Sequence, residues 1–514
     1  MNPQHASPEA QRAPGIKAWL GLAIILGPVL LVAMDGSILF LAMPRITDAL
    51  VPTADQSLWI LDIYGFAVGS LLVAFGNIGD RYGRLKLLLI GTSLFGLASA
   101  GAAMAPNAEM LIAFRALMGM AGATLLPSAL AVLSELFTDP KRRAQAIGIF
   151  ASAFAAGFAI GPIVGGQLLS HFWWGSVFLV NIPVIVLFLI FAPILLSEVK
   201  VTRPGRVDAL SVVLSAVGLL LAIYAVKSLA AEGVSVLAIV AGIIGLVVLV
   251  AFARRQRHLE YPLIDFGLFR DRVFTIAIIT GLLPLAAWSA TAYLSGVYLQ
   301  TVLEMTVAQA AMLAVPGALV LTVTCIVVPM VVGRIGTRAA LIACHFAIAA
   351  GLSLFLMTGV TGGAGWYVAA MIVSGFGYGI SFAVVADVAV AAVPTERAGS
   401  AAAMAETSNE VGNALGIALL GSLAALIFRV MGPDLAPTLD ETAELPGLAS
   451  EALLEAKSAF VTGLHAAVIV AGLLHAGLGV LALRWLPKTD PQASGEETAE
   501  AESVSRTAEE IESA

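Results

Sequence analysis

Long apolar runs alternate with short polar breaks along almost the whole chain. Fourteen runs are long enough to cross a hydrocarbon layer of ~30 Å. They lie near 17–41, 57–76, 85–105, 109–136, 144–169, 173–197, 207–229, 233–253, 273–298, 306–332, 338–359, 364–392, 398–428 and 460–486. Each predicts a membrane-spanning helix. With both termini on the cytoplasmic side, 22 of the 27 Lys and Arg residues fall in inside loops and ends. Arg45, Lys227, Arg429 and Lys457 fall outside, and Arg115 alone lies within a run. Bases gathered on one side support both the number of spans and their orientation.

The break Gly79-Asp80-Arg81-Tyr82-Gly83-Arg84-Leu85-Lys86 carries too much charge to lie in lipid, so it predicts a tight cytoplasmic loop. A weaker echo stands at Gly333-Arg334-Ile335-Gly336-Thr337-Arg338. Pro140-Lys141-Arg142-Arg143-Ala144 is echoed by Pro394-Thr395-Glu396-Arg397-Ala398, and Gly157 and Gly161 by Gly412 and Gly416. The offsets, 253, 254 and 255, keep the same order, which argues for an internal repeat. The fold class expected is therefore all-α and polytopic. Six-helix bundles occupy 17–200 and 259–486, and two inserted helices, the seventh and eighth, occupy 201–258. Residues 1–16 and the tail 487–514 are expected to be disordered. The outside loop 430–459 is unusually long; Ser450 is a candidate N-cap for a short helix reaching Phe460.

Composition narrows the class. Of 514 residues, 59% are hydrophobic and 12% charged, about half the charge of a soluble protein of that size. The net charge of −7 is local: the tail 487–514 holds eight acids and two bases, and the loop 430–459 six acids and one Lys. No basic patch points to nucleic acid. Cys325 and Cys344 both fall in apolar runs, so no disulfide framework is expected. The first run is long and no small-residue cleavage site follows it, so it is expected to stay as the first span.

Five acids lie well inside apolar runs: Asp35, Asp62, Asp387, Glu406 and Glu410. An acid in the membrane is costly and marks a candidate functional site. Asp35 is deep, ~27 Å along the first helix from Lys17. Glu406 and Glu410 are one turn apart and share a face near mid-membrane. Hydration serves Asp62, near an outer end, as well as function does; capping or a salt bridge does the same for Asp387. Arg115 lies at a depth like that of Asp35 and Asp62 and needs a partner. Pairing would lower that acid's proton affinity and burial would raise it, a competition suited to a proton carrier; a static ion pair is the plainer alternative. Asp80 and its neighbouring bases can form a cluster that locks the cytoplasmic ends. Gly157, Gly161, Gly165 and Gly166 share one helical face that permits close approach, and Pro162 bends that helix. Aromatic side chains at these levels, Phe40, Tyr64, Tyr293 and Phe376 among them, could stack on a cation. His345, His465 and His475 are scattered, which argues against a metal site. No phosphate-binding loop is present, so no nucleotide cofactor is expected.

Gly76-Asn77-Ile78-Gly79-Asp80-Arg81-Tyr82-Gly83-Arg84 resembles motif A of the major facilitator superfamily. Leu111-x-x-x-Arg115-x-x-x-Gly119-x-x-Gly122-Ala123 resembles its motif B, and Gly157-x-x-x-Gly161-Pro162-x-x-Gly165-Gly166 its antiporter motif C. Met34-Asp35-Gly36-Ser37 through Ala42-Met43-Pro44 and Phe178-Leu179-Val180-Asn181-Ile182-Pro183 resemble signatures of its fourteen-helix drug:proton antiporters. The likeness covers roughly 17–486; the second copy of motif A lacks the acid. It implies two six-helix bundles with alternating access, plus two extra helices, in a bacterial cytoplasmic (inner) membrane.

The resemblance also implies no enzyme and no cofactor, but a monomeric antiporter driven by the proton gradient. It would export lipophilic, mainly cationic drugs: quaternary ammonium compounds, dyes and, as a further class, fluoroquinolones. Asp35, Asp62 and Arg115 are the proton-coupling candidates. Asp35, Glu406, Glu410, Phe40, Tyr64, Tyr293 and Phe376 are the substrate candidates. Gating falls to Gly79, Asp80, Arg81, Gly83, Arg84, Gly157, Gly161, Pro162 and Gly165, with motif C as a hinge at the bundle interface. Two alternatives stay open: a metabolite or compatible-solute transporter on the same fold, and a non-transporting membrane sensor.

Overall fold

The computed structural model describes residues 15–486 apart from 53, 200–207, 232–234, 260–261, 394–397, 437 and 444. The side chains of Phe40, Asp62, Asp80, Pro162, Asp387, Glu406 and Glu410 lie outside the described residues, although their backbone is helical. Both expected disordered ends also fall outside, save for the first helix's start.

Every regular element among the described residues is helical. The first half comprises α1 (Ile16–Leu50), α2 (Ala54–Tyr82), α3 (Arg84–Ala103), α4 (Ala108–Leu136), α5 (Pro140–His171), the single turn α6 (Ser176–Leu179) and α7 (Asn181–Leu195). A hairpin follows, α8 (Ala209–Ala231) and α9 (Val236–Gln256). The second half comprises α10 (Arg272–Val297), α11 (Val307–Ile335), α12 (Thr337–Leu354), α13 (Ala364–Ala391), α14 (Ala398–Gly416), α15 (Ser422–Met431), the short α16 (Leu439–Ala443) and α17 (Ser450–Trp485). Polar residues at the breaks start several of these helices. Asn107, Asp139, Ser235 and Asp271 each accept a hydrogen bond from a backbone N–H in the first turn of α4, α5, α9 and α10. Thr306 and Gln309 form a reciprocal capping box on α11.

Eleven helical stretches among the described residues are long and apolar enough to cross a membrane. The predicted spans 57–76, 144–169 and 398–428 are not among them, though α2, α5 and α14–α15 occupy those places. Each of those three contains side chains outside the described residues, which interrupt the stretch that is counted. The last of these runs also contains a π-helical turn, Ile417–Gly421. The run 173–197 is broken at Val180, where Asn181 Nδ2 donates to Ser99 Oγ at 2.8 Å and Ser99 Oγ donates to the Phe178 carbonyl at 2.9 Å. The expected short helix after the outside loop is corrected. Ser450 is the first residue of the 36-residue helix α17, and Ala449 precedes it without a side-chain cap.

The apolar side chains gather into two large cores and a small cluster of Phe252 and Leu263 at the α8–α9 hairpin. One runs from Ala18 to Leu196 and the other from Leu268 to Leu486. The repeat persists in the packing. Gly157 and Gly161 of α5 lie so close to α1 that a Cβ would stand 2.8 Å from the Leu30 carbonyl oxygen and 3.0 Å from that of Met34. Gly412 and Gly416 of α14 lie as closely on α10, against the carbonyl oxygens of Leu282 and Ala286. Gly83 and Gly336 both take positive φ, 111° and 80°, a conformation open to glycine, between successive helices of each half.

The halves meet through α5 and α11, α5 and α13, and α2 and α14. At the end carrying the Gly83 and Gly336 turns, Ser152 Oγ donates to the Thr322 carbonyl at 3.2 Å, and Gly148 sits against the Cys325 carbonyl. The α8–α9 hairpin lies outside both cores. Its α8 packs on α2 and α14, with Trp59 stacked on Tyr224 at 5.7 Å, while α9 exposes Val236, Leu237, Ile243, Leu246 and Val247. Arg255 clasps the hairpin at one end by two hydrogen bonds to Asp208, of 2.6 and 3.0 Å. Those bonds, with two more from the hydroxyl and N–H of Ser211, hold the Asp208 carboxyl well below the usual carboxylate range. A depressed carboxyl stabilises above its unfolded value, so this clasp persists through neutral pH and is lost only in strong acid.

Candidate functional site

α1, α2 and α4 converge on one buried ion pair. Asp35 and Arg115 are each 1% exposed. Arg115 Nη1 donates to Asp35 Oδ2 in a short contact, and its Nε donates to the Ile60 carbonyl at 3.1 Å. The guanidinium lies 4.8 Å from the centre of the Tyr64 ring, within cation–π range. Tyr64 is 6% exposed, and its hydroxyl donates to the Val32 carbonyl at 3.4 Å. The spacing of Arg115, Gly119 and Gly122 explains the geometry. The three positions share a face of α4, and the glycines let the α2 backbone at Tyr64 come within 2.5 Å of a Cβ built at Gly119. Asp35 in turn is held by the α1–α5 seam, because Gly161 packs against Met34 and Ser37 on either side of it.

The pair is satisfied on one side only. Asp35 Oδ1 is buried and has no hydrogen-bond donor among the described residues. A carboxylate oxygen in that position is costly while ionised, and protonation removes that charge at the expense of the pairing with Arg115. The site can therefore hold a charge-paired carboxylate or a neutral acid at Oδ1.

The motif A turn is built from a residue that the sequence reading passed over. The N–H of Arg84 donates to the Val199 carbonyl at 3.1 Å. Those of Leu85 and Lys86 donate to Glu198 Oε1 and Oε2 at 2.9 and 3.0 Å. Glu198, just past α7, thus caps α3, where Gly83 has no side chain to do so. Arg84 is 1% exposed and runs beside Gly79, while Arg81 is exposed over the Tyr82 ring at 5.4 Å. An acid placed directly after the sixth apolar run, facing an uncapped helix start, was the available signal. Glu198→Ala is expected to remove about 1–2 kcal/mol of stability, the range for a lost helix cap, and to slow transport. Thermal unfolding in detergent, compared with Glu198→Gln, checks it; an unchanged midpoint would mean that the cap carries no weight.

Other candidates are placed differently from expectation. The motif C glycines Gly157, Gly161 and Gly165 face α1 of their own bundle, and α5 meets the other bundle at Gly148 and Ser152 instead. The hinge is corrected accordingly to an intrabundle seam: the glycine stripe and the Gly148–Ser152 stripe occupy different sectors of α5. Tyr64 is buried under Arg115. Tyr293 and Phe376, on α10 and α13, are 48% and 45% exposed, and no contact among the described residues joins them to Asp35. Cys325 and Cys344 are buried, free thiols.

A model of the Major Facilitator Superfamily matches residues 26–417. The chain is 36% identical over 484 residues to the multidrug efflux pump LfrA of Mycolicibacterium smegmatis, spanning 91% of this chain and 96% of that protein. It is 29% identical over 415 residues to the methyl viologen resistance protein SmvA of Salmonella typhimurium, spanning 80% and 83%. Among solved structures, the human organic anion transporter MFSD10 (TETRAN) superposes with a TM-score of 0.58 at 14% identity, covering 90% of this chain and all of that one. That last likeness concerns the fold alone.

Proposed function

This chain belongs to the Major Facilitator Superfamily, and on that premise we propose that it is a multidrug efflux antiporter driven by protons. It is a multi-pass membrane transporter and not an enzyme. Likeness to proteins named as a multidrug efflux pump and as a methyl viologen resistance protein supports drug export as the activity. The observation that carries proton coupling is the buried Asp35–Arg115 pair with Oδ1 of Asp35 left without a donor. Arg115 favours the ionised acid and burial favours the protonated one, so a modest change of surroundings moves a proton on or off. We place fourteen spans in a bacterial inner membrane with both termini cytoplasmic, following the distribution of bases. Two six-helix bundles would then exchange access around a central cavity, with the α8–α9 hairpin at its edge. Drug-dependent proton movement in proteoliposomes, across a panel of compounds, tests the reading; flux of a metabolite without counter-flow of protons, or no flux at all, would overturn it.

The substrates we propose are lipophilic mono- and dications with aromatic bodies. A quaternary cation brings no exchangeable proton, so the coupling proton must sit on protein carboxyls. Positions 406 and 410 lie one turn apart on α14 and share one face of that helix. Two carboxylates that close ionise together readily only with a cation between them. Glu406→Gln and Glu410→Gln are each expected to reduce export of a dication such as methyl viologen about tenfold more than export of a matched monocation. Efflux of such a pair from loaded vesicles is the measurement, and equal, unimpaired export of both would remove α14 from the cation site.

A further inference from the structure

The second core encloses two imidazoles that the Asp35 site does not use. His345 on α12 and His475 on α17 are 0% and 1% exposed. Their Nδ1 atoms lie 3.2 Å apart, with the rings tilted by 36°. On its other side, His345 Nε2 lies 3.3 Å from Thr280 Oγ1 on α10. A hydroxyl and two imidazoles thus form one line of atoms across three helices distant in sequence.

Stereochemistry limits what this line can hold. A bond between two Nδ1 atoms requires opposite tautomers, one ring with its proton on Nδ1 and the other on Nε2. The donor ring keeps a bare lone pair on its own Nε2. With His345 as donor, that atom faces Thr280, whose hydroxyl can donate to it. A proton added there leaves the Nδ1–Nδ1 bond intact, because the hydroxyl turns over and accepts. A second proton has no such seat, since it would place N–H groups on both facing Nδ1 atoms.

The surroundings leave the proton as the fitting ligand. No third His, Cys, Asp or Glu among the described residues joins the pair in a group that could hold a metal ion. α13 brings Tyr378, buried close to Cys344, the residue before His345. On α17, His465 lies ten residues outward and meets Thr358 instead. The bases of these elements, Arg272 of α10, Arg334 of α11, Arg338 of α12 and Arg484 of α17, stand seven or more residues away along their own helices or on a neighbour, at the end carrying the Gly336 turn. α15 brings Arg429 only at its far end.

We propose that the His345–His475 pair is a second protonation site, separate from Asp35, that takes one proton at His345 Nε2. Thr280 passes the change to α10, whose next turns carry the seam with α14: Ser408 Oγ donates to the Ile278 carbonyl at 2.6 Å, and Asn409 lies against Gly281. The site is defined by its own titration and does not depend on the export reading. The test is ¹⁵N NMR of the full chain in nanodiscs, labelled at its six histidines, through a pH titration. Spectra of His345→Gln and His475→Gln assign the two rings. The expected result is that both rings shift together with a single one-proton midpoint. Thr280→Val, a conservative change, should move that midpoint by at least half a pH unit, and Asp35→Asn should leave it in place. Rings fixed in opposite tautomers at every pH where the protein stays folded would overturn the site. So would two independent titrations, or a midpoint indifferent to Thr280→Val.

Discussion

Asp35→Asn should abolish uphill drug export, by a hundredfold or more, while downhill exchange of drug survives in protein that folds. The neutral amide cannot release a proton, and it leaves the Arg115 guanidinium buried without its counter-charge. Breaking a buried pair from one side costs about 3–5 kcal/mol, so the single variant should also unfold at lower temperature. That second effect could mimic the first, and the double variant Asp35→Asn/Arg115→Gln separates them. Removing both charges should restore most of the thermal stability, since a neutral pair of similar size carries no uncompensated charge. Export should stay absent, because nothing then titrates at this position. Recovery of proton-coupled export in the double variant would take the proton from Asp35 and leave the pair as structure. The same expectation gives the sign of the pH effect: coupling requires Asp35 to be both protonated and ionised during a cycle, so rates should fall at both pH extremes.

The second large effect is expected at the α1–α5 seam. A Cβ at Gly157 would stand 2.7 Å from Ala33 Cβ and 2.8 Å from a backbone oxygen, and one at Gly161 would stand against Ser37 and the Met34 carbonyl. Neither neighbour is the far end of a flexible side chain, so the helices must part. Overpacking of this kind costs about 1–3 kcal/mol, and here it also shifts the turn of α1 that carries Asp35. Gly157→Ala and Gly161→Ala should each lower stability by that amount and cut transport at least tenfold. Gly166→Ala is the control, because its Cβ would meet only Leu41 Cδ2 at 3.7 Å, an ordinary contact. Thermal stability and efflux measured on the three side by side decide it; equal behaviour of all three would deny the seam any part in holding Asp35.

Much of this was legible in the sequence because lipid imposes simple rules. A run of apolar residues must form a helix, a buried acid must have a reason, and bases collect on one side. Depth alone left Arg115 two candidate partners, Asp35 and Asp62, and the structure joins it to Asp35. The glycines of motif C signalled close approach, but a stripe of small residues does not name its partner, and α1 was as available as α11. Glu198 was missed because its role is to accept from backbone N–H groups at residues 85 and 86, which every residue possesses. His345 and His475 were seen as scattered because 130 residues separate them, and only the antiparallel packing of α12 and α17 brings their rings together. The fourteen apolar runs were easy to count, although α2, α5 and α14 are the least apolar of the long helices because they carry the acids, glycines and small polar residues.

The paired glycine seams bear on how the chain is assembled as it is made. Each seam joins the first and fifth helices of its half, so neither half can close before its fifth helix has emerged. Gly161 is complete long before Leu282 exists, and the first half therefore has its own stopping point during synthesis. The α8–α9 hairpin is made next and finds its α2 face already standing. It then occupies the flank along which α14 must later settle, acting as a guide rail for the second half. A ribosome paused after the hairpin should accordingly carry a nascent first half that already resists protease.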